Sequence, residues 1–155
     1  MKKVITFGVF DLFHIGHLNL FENIKNVCGT DSYLIVGVQN GEYIKKYKPN
    51  ANIYYSTKER IRLIKSLRVV DEVIEYEDVD KTIKKVDFNI FAIGEDQNHS
   101  GFQNAVTYCE DNNKKVVRMQ RTKNICSSSI KADLNNKSFN LDEDIAKGIK
   151  IEFNK

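Results

Sequence analysis

Val4-Ile5-Thr6-Phe7-Gly8-Val9-Phe10-Asp11-Leu12-Phe13-His14-Ile15-Gly16-His17 is the stretch on which the reading of this chain turns. Val4 to Phe7 is a short apolar run with strand character, and Leu18 to Val27 is amphipathic with helical spacing. Two histidines and a glycine therefore sit where a strand hands over to a helix. At such a junction the helix N-terminus offers unpaired backbone N–H groups and the positive end of its dipole, which suits phosphate. Gly16 lets the backbone approach a ligand closely. His14 and His17 add two side-chain donors, and a nucleoside triphosphate is the ligand this combination suggests.

Outward from that junction, strand and helix signals alternate. Strands are expected at Val4–Phe7, Tyr33–Val38, Val69–Tyr76, Phe88–Ile93 and Lys115–Met119. Helices are expected at Leu18–Val27, about Lys58–Leu67 behind the capping box Ser56-Thr57-Lys58-Glu59, Lys81–Val86 and Gly101–Asn112, with a last one opening at the serine cluster Ser127-Ser128-Ser129. The polar, lysine-rich stretch from Gly41 to Ile53 holds the only proline, Pro49, and reads as a loop. Such alternation implies an α/β fold with a parallel sheet and right-handed crossovers. Ligands of such sheets bind outside the C-terminal strand ends. The unusual residues fall there: Phe10 to His17, Lys46 and Lys48, Asp96, and Arg121 to Ser128.

The totals narrow the class. A length of 155 residues allows one domain with a real core. The 24 basic and 21 acidic residues leave a net charge of +3, too balanced to argue for nucleic acid as a partner. The cysteines Cys28, Cys109 and Cys126 are odd in number and scattered, without zinc or disulfide spacing, which favours a reducing, cytoplasmic setting. No apolar run is long enough to span a bilayer, and no membrane association is expected.

Taken in order, these residues resemble the nucleotidyltransferases with a His-x-Gly-His signature, and among them the cytidylyltransferases. The resemblance runs from Met1 to about Lys131. It is carried by Gly8, Phe10-Asp11, His14, Gly16 and His17, then Arg60, Arg68-x-Val70-Asp71-Glu72-Val73-Ile74, Gly94-x-Asp96, and Arg121-Thr122-x-x-Ile125-x-Ser127-Ser128-x-Ile130-Lys131. It implies a Rossmann-like five-stranded sheet of order 3-2-1-4-5 over residues 1–132, with residues 133–155 as an added tail. It also implies CTP as donor, a small phosphate monoester as acceptor, Mg2+ carried on the CTP phosphates, and a homodimer. Members that act on glycerol 3-phosphate carry a tryptophan just after the matching Gly-x-Asp; here that residue is Gln97. Gly41 stands where an aspartate is usual, and Asn124 and Cys126 replace a glycine and a serine. Glycerol 3-phosphate is the first acceptor to expect, with phosphoglutamine, phosphoethanolamine and phosphocholine as alternatives. ATP is the alternative donor, and a non-catalytic nucleotide-binding subunit the alternative of another class.

The chemistry explains the residue types. A phosphate monoester has its second pKa near ~6, so it is largely dianionic at neutral pH and needs no strong base. The obstacle is charge, and positioned donors on the α- and β-phosphates overcome it. By resemblance His14, His17, Lys46 and Arg121 fill the catalytic role. Gly8, Val9, Phe10, Gly16, Asp96, Thr122, Ser127 and Ser128 hold the nucleotide, and Lys48, Arg60 and Arg68 face the acceptor. Arg60 and Arg68 are read on one face of a common helix, with pairing to Asp71 or to a neighbouring subunit as the alternative for Arg68. Asp11 is expected to shape the turn by accepting from loop N–H groups. A metal triad of Asp11, His14 and His17 is disfavoured because no further ligand lies nearby. No covalent step is needed, so Cys126 receives no catalytic role.

Overall fold

The computed structural model describes residues 1–138. Five strands, β1 (Lys3–Gly8), β2 (Tyr33–Gln39), β3 (Glu72–Tyr76), β4 (Ile90–Gly94) and β5 (Lys115–Met119), form one sheet. Its order is β3-β2-β1-β4-β5, with every pairing parallel. Six helices connect them: α1 (Ile15–Cys28), α2 (Gly41–Tyr47), α3 (Thr57–Lys65), α4 (Val79–Thr82, continued as a 3-10 turn to Lys85), α5 (Ser100–Asp111) and α6 (Ser127–Ser138). This is the expected Rossmann-like architecture. The expected boundary after residue 132 falls inside α6, and the tail residues 139–155 lie outside the described residues.

The core divides by residue parity along the strands, because alternate side chains of a strand leave on opposite faces. On one face Ile5, Phe7, Ile35, Phe91 and Ile93 pack with Val79, Ile83, Phe102 and Ala105 of α4, the turn after it and α5. On the other, Val4, Leu34, Val36, Val38, Ile90 and Ala92 pack with Phe21 and Ile24 of α1 and Ile64 of α3. With both faces covered, the central strands need the nearly continuous apolar runs seen in the sequence. Gly37 makes room for Phe7: a Cβ there would lie 2.4 Å from the Phe7 ring. Among the described residues no helix is long and apolar enough to cross a membrane.

Three local expectations are corrected. Gly41 to Tyr47 is helical, not loop. The Asn40 side chain accepts from Tyr43 N–H and caps it, and Ile44 anchors it in the core. One buried residue among lysines gives too little periodicity to be read. α3 stops at Lys65, where the Ser66 hydroxyl turns back to the Leu63 carbonyl, so Arg68 lies beyond the helix that carries Arg60. β3 begins at Glu72 rather than Val69. Val69 and Val70 pack on the core without joining the ladder.

The seam between β1 and β4 is short. They pair only at Val4–Ile90 and Ile5–Phe91. β1 stays paired with β2 as far as Gly8–Val38, and β4 with β5 as far as Gly94–Met119. The sheet therefore opens between the C-terminal ends of β1 and β4, where the chain order reverses and where α/β sheets bind ligands.

Candidate active site

A pocket of about 390 Å³ lies over this opening. The β1–α1 loop, the residues after β4, and the segment from Met119 into α6 form its walls. Of the residues singled out in the sequence, Gly8, Val9, Phe10, His14, Gly16, His17, Asp96, Arg121, Thr122, Ser127 and Ser128 all line it. Lys46, Lys48, Arg60 and Arg68 do not. Lys46 and Lys48 are exposed at and after the end of α2, and Arg68 is exposed between α3 and β3.

The β1–α1 loop is tightly wound. Phe10 and Leu12 have φ of 55° and 44°, a left-handed region that bulky residues adopt only when their surroundings impose it. Phe10 is buried, edge-on to Phe21 and His17, and its ring lies against Gly8, where a Cβ would sit 2.7 Å away. Gly16 is equally constrained: a Cβ there would meet the His14 ring at 2.8 Å.

The two histidines stack with centroids 3.8 Å apart. His14 caps α1, its Nδ1 accepting from Gly16 N–H at 3.0 Å, while His17 Nδ1 accepts from His14 N–H at 3.3 Å. A nitrogen that accepts carries no proton, so each neutral ring holds its hydrogen on Nε2 and is left with that N–H to donate. Their surroundings disfavour the protonated form of both. Burial, then repulsion from a protonated His14, pushes the His17 pKa down to about 3 against a weaker pull from Asp11. Burial, then Arg121, lowers that of His14.

Asp11 is the hub beneath the pocket. It is buried, and its carboxylate accepts from Tyr54 N–H at 2.6 Å and Tyr55 N–H at 2.9 Å, as expected of a turn-shaping aspartate. It also takes Lys131 Nζ at 2.7 Å, and its carbonyl accepts from the Ser127 hydroxyl. Burial alone would raise its pKa, but Lys131 and the two N–H groups outweigh it and hold the group below its ordinary value. Lys131, which also donates to the Asn52 carbonyl, went unassigned in the sequence reading. Its spacing from Ser127, one helical turn, was the available signal.

α6 reaches the pocket through a cap in which sulfur replaces a hydroxyl. Ser129 N–H donates to Cys126 Sγ at 3.3 Å, and Cys126 N–H donates to Ser129 Oγ at 3.2 Å. These contacts, led by the Ser129 side chain, lower the Cys126 pKa. Asn124, which replaces a glycine, has φ 66°, a conformation asparagine tolerates better than most. Arg121 pairs with Asp96 at 3.1 Å, both groups about half exposed, so the guanidinium can move onto a phosphate at little cost. Thr122 Oγ1 accepts from Asn19 of α1 at 3.2 Å.

Arg60 is spent elsewhere. It is fully buried and donates to the carbonyls of Val9 (3.0 Å), Gln39 (2.7 Å) and Tyr55 (3.2 Å) and to Thr57 Oγ1. It ties the ends of β1 and β2 to α3 and lies outside the lining of the pocket. Asp71 takes Lys25 at 2.6 Å and Leu34 N–H at 2.8 Å, so it is not the partner of Arg68. No cluster of three metal-ligating side chains occurs among the described residues. The carboxylates at the pocket, Asp11, Glu95 and Asp96, are each engaged by Lys131, Arg121 N–H or the Arg121 guanidinium. Among the described residues there is no cage for a divalent ion.

Comparison with known proteins agrees with this geometry. The cytidylyltransferase-like family model matches residues 5–133. Glycerol-3-phosphate cytidylyltransferase of Bacillus spizizenii is 37% identical over 138 residues, covering 86% of this chain and 98% of that protein. The Bacillus subtilis enzyme of the same name is 33% identical over 137 residues, with the same coverage. An FAD synthase of Ferroglobus placidus is 35% identical over 99 residues, 63% of this chain and 61% of that protein. Among solved structures, a lipopolysaccharide core biosynthesis protein of Thermoplasma volcanium superposes with a TM-score of 0.63 at 26% identity, covering 81% of this chain and 99% of that one. This chain belongs to the cytidylyltransferase-like family.

Proposed function

We propose that this member of the cytidylyltransferase-like family transfers CMP from CTP to a small phosphate monoester, glycerol 3-phosphate first, releasing pyrophosphate. The observation that carries the reading is the stacked pair of neutral histidines, Nδ1 anchored and Nε2–H free, at the N-terminus of α1 in a pocket shared with Arg121 and the start of α6. A phosphate oxygen of the acceptor attacks the α-phosphorus of CTP in line. The bond from that phosphorus to the bridging oxygen breaks, and pyrophosphate leaves with its electron pair. His14 and His17 donate to phosphate oxygens as charge grows on them, held so that no reorganisation is needed at that moment. Arg121, freed from Asp96, adds a permanent cation with two aligned donors. The N–H groups opening α6, near Ser127 and Ser128, suit the outer phosphates. Mg2+ would be carried by the CTP phosphates rather than by side chains of the described residues, and would supply charge neutralisation there.

Lys46 as a catalytic cation and Lys48 on the acceptor side belong to the proposal, because the 49–55 segment that follows them is pinned to Asp11 at the pocket floor. A homodimer and a cytoplasmic setting belong to the same reading. The test is pyrophosphate release with Mg2+, CTP or ATP, and a panel of glycerol 3-phosphate, phosphoethanolamine, phosphocholine and phosphoglutamine. Release requiring CTP and one acceptor is the expected result. Release with ATP in place of CTP would move the chain toward adenylyl transfer, the direction of its likeness to FAD synthases. CTP binding without release from any pair would point to a nucleotide-binding subunit.

A further inference from the structure

The opening between β1 and β4 is bridged by one side chain. Gln97 Nε2 donates to the Phe7 carbonyl at 2.8 Å, and its Oε1 accepts from Gly94 N–H at 2.9 Å. Phe7 and Gly94 lie beyond the last β1–β4 pair, so their backbone groups would otherwise face the crevice without a ladder partner. All three residues line the pocket. The Gln97 N–H donates to the Gly94 carbonyl at 3.1 Å, so a backbone turn holds this residue in place independently of its side chain.

The planar carboxamide offers an N–H donor beside an acceptor oxygen. The amino edge of cytosine offers the same pair, its 4-amino hydrogen beside N3. The N6 amine and N1 of adenine do so too, whereas uracil presents the reverse, O4 beside N3–H. We propose that the Phe7 carbonyl and the Gly94 N–H are the pair that reads the base, and that Gln97 occupies their site in the nucleotide-free chain as a surrogate for the base edge, to be displaced on binding. This rests on the proposed nucleotidyl transfer and adds to it a specificity element. The two backbone groups accept an amino-bearing edge and oppose uracil, because a carbonyl set against O4 and an N–H set against N3–H leave four buried polar groups unpaired. Gln97 sets the threshold: only a base able to replace both of its hydrogen bonds opens the crevice. The Gly94–Gln97 backbone turn persists while the side chain swings out.

Titration calorimetry of CTP and UTP against the wild-type protein and Gln97→Ala, each checked by thermal melting, tests this. The variant should bind CTP about threefold to tenfold more tightly, having no occupant to displace. Wild type should prefer CTP to UTP, and the variant should keep that preference. The side-chain amide resonance of Gln97, identified by its loss in the variant, should shift when wild type is saturated with CTP. It should stay in place with inorganic tripolyphosphate, which fills the phosphate site and has no base. Unchanged or weaker CTP binding by a folded variant, or a Gln97 resonance that ignores CTP, would make the carboxamide a fixed stitch and overturn the inference while leaving the transfer reaction standing. Wild type that binds no nucleoside triphosphate would overturn the transfer reading as well.

Discussion

At the scale of single residues, the histidine pair yields two expectations. His17→Ala removes a phosphate donor and should cut turnover by about a hundredfold or more with the fold retained; near-normal turnover in the pyrophosphate assay would sink the mechanism. The second concerns pH. The His17 pKa is lowered from 6.5 to about 3 in the folded chain, so the unfolded chain binds the extra proton first. The stability this gives is complete above about pH 6.5 and is lost as pH falls toward the folded value. Wild-type melting temperature should therefore fall between pH 6.5 and 4.5, above the range where most carboxylates titrate. His17→Asn, which keeps an acceptor for His14 N–H, should flatten that slope. That His14, His17, Arg121 and the serines opening α6 meet in one pocket was legible in the sequence, because the order of residue types is itself the signal. The tautomer was not, since it follows from which nitrogen accepts a backbone hydrogen, and that exists only after folding. Arg60 shows the opposite failure. An arginine at a family position resembles a phosphate ligand on paper, yet here three backbone carbonyls consume it. Arg60→Ala should cost about 3–5 kcal/mol in chemical denaturation, the price of leaving those carbonyls buried and bare.

At the scale of elements, Gly16 separates stability from activity. An alanine inside α1 would ordinarily raise helix stability by about 0.5–1 kcal/mol. Here the added Cβ would press on the His14 ring at 2.8 Å and turn it from its anchored position. Gly16→Ala should melt within a few degrees of wild type and lose at least about tenfold in kcat; a variant with full kcat would show that the His14 ring can yield. Element boundaries were read to within a residue where a periodic apolar face existed, as in α5 and the C-terminal end of α1, whereas α1 starts three residues earlier than expected, at Ile15. They were missed where one buried residue had to carry an element. α2 rests on Ile44 and the Asn40 cap, so a lysine-rich sequence concealed it. β3 started late because Val69 and Val70 are apolar enough for a strand but are used to fill space.

For the whole molecule, the pocket is built at one edge of the sheet from strand ends, loops and the starts of α1 and α6. A ligand bound only by the folded form raises stability by mass action, about 2.7 kcal/mol at a hundred times its Kd. Saturating CTP with Mg2+ should raise the melting temperature by several degrees, and Lys131→Met, which removes one of the two bonds from α6 to Asp11 and leaves that of Ser127, should shrink the shift by weakening CTP. An equal shift in the variant would confine Lys131 to a structural role away from the nucleotide. The parallel pairing of the sheet was legible because short apolar strands alternating with helices admit few arrangements, whereas the order 3-2-1-4-5 was implied by the family resemblance. The Asp11 hub was legible only in part. Its bonds to Tyr54 and Tyr55 are about 40 residues distant in sequence, and those to α6 about 120, with no local pattern to announce them.

Those last bonds have a consequence for the birth of the molecule. Ser127 and Lys131 lie 116 and 120 residues after Asp11, so on a ribosome the carboxylate leaves the exit tunnel long before its partners are made. At about 5–20 residues per second, the wait is about 6–24 s. Through that interval β1, β2 and β3 can already assemble on α1 and α3, while the β1–α1 loop stays hydrated and open at its α6 side. Translation of this chain thus delivers a nearly complete scaffold first and a competent pocket last.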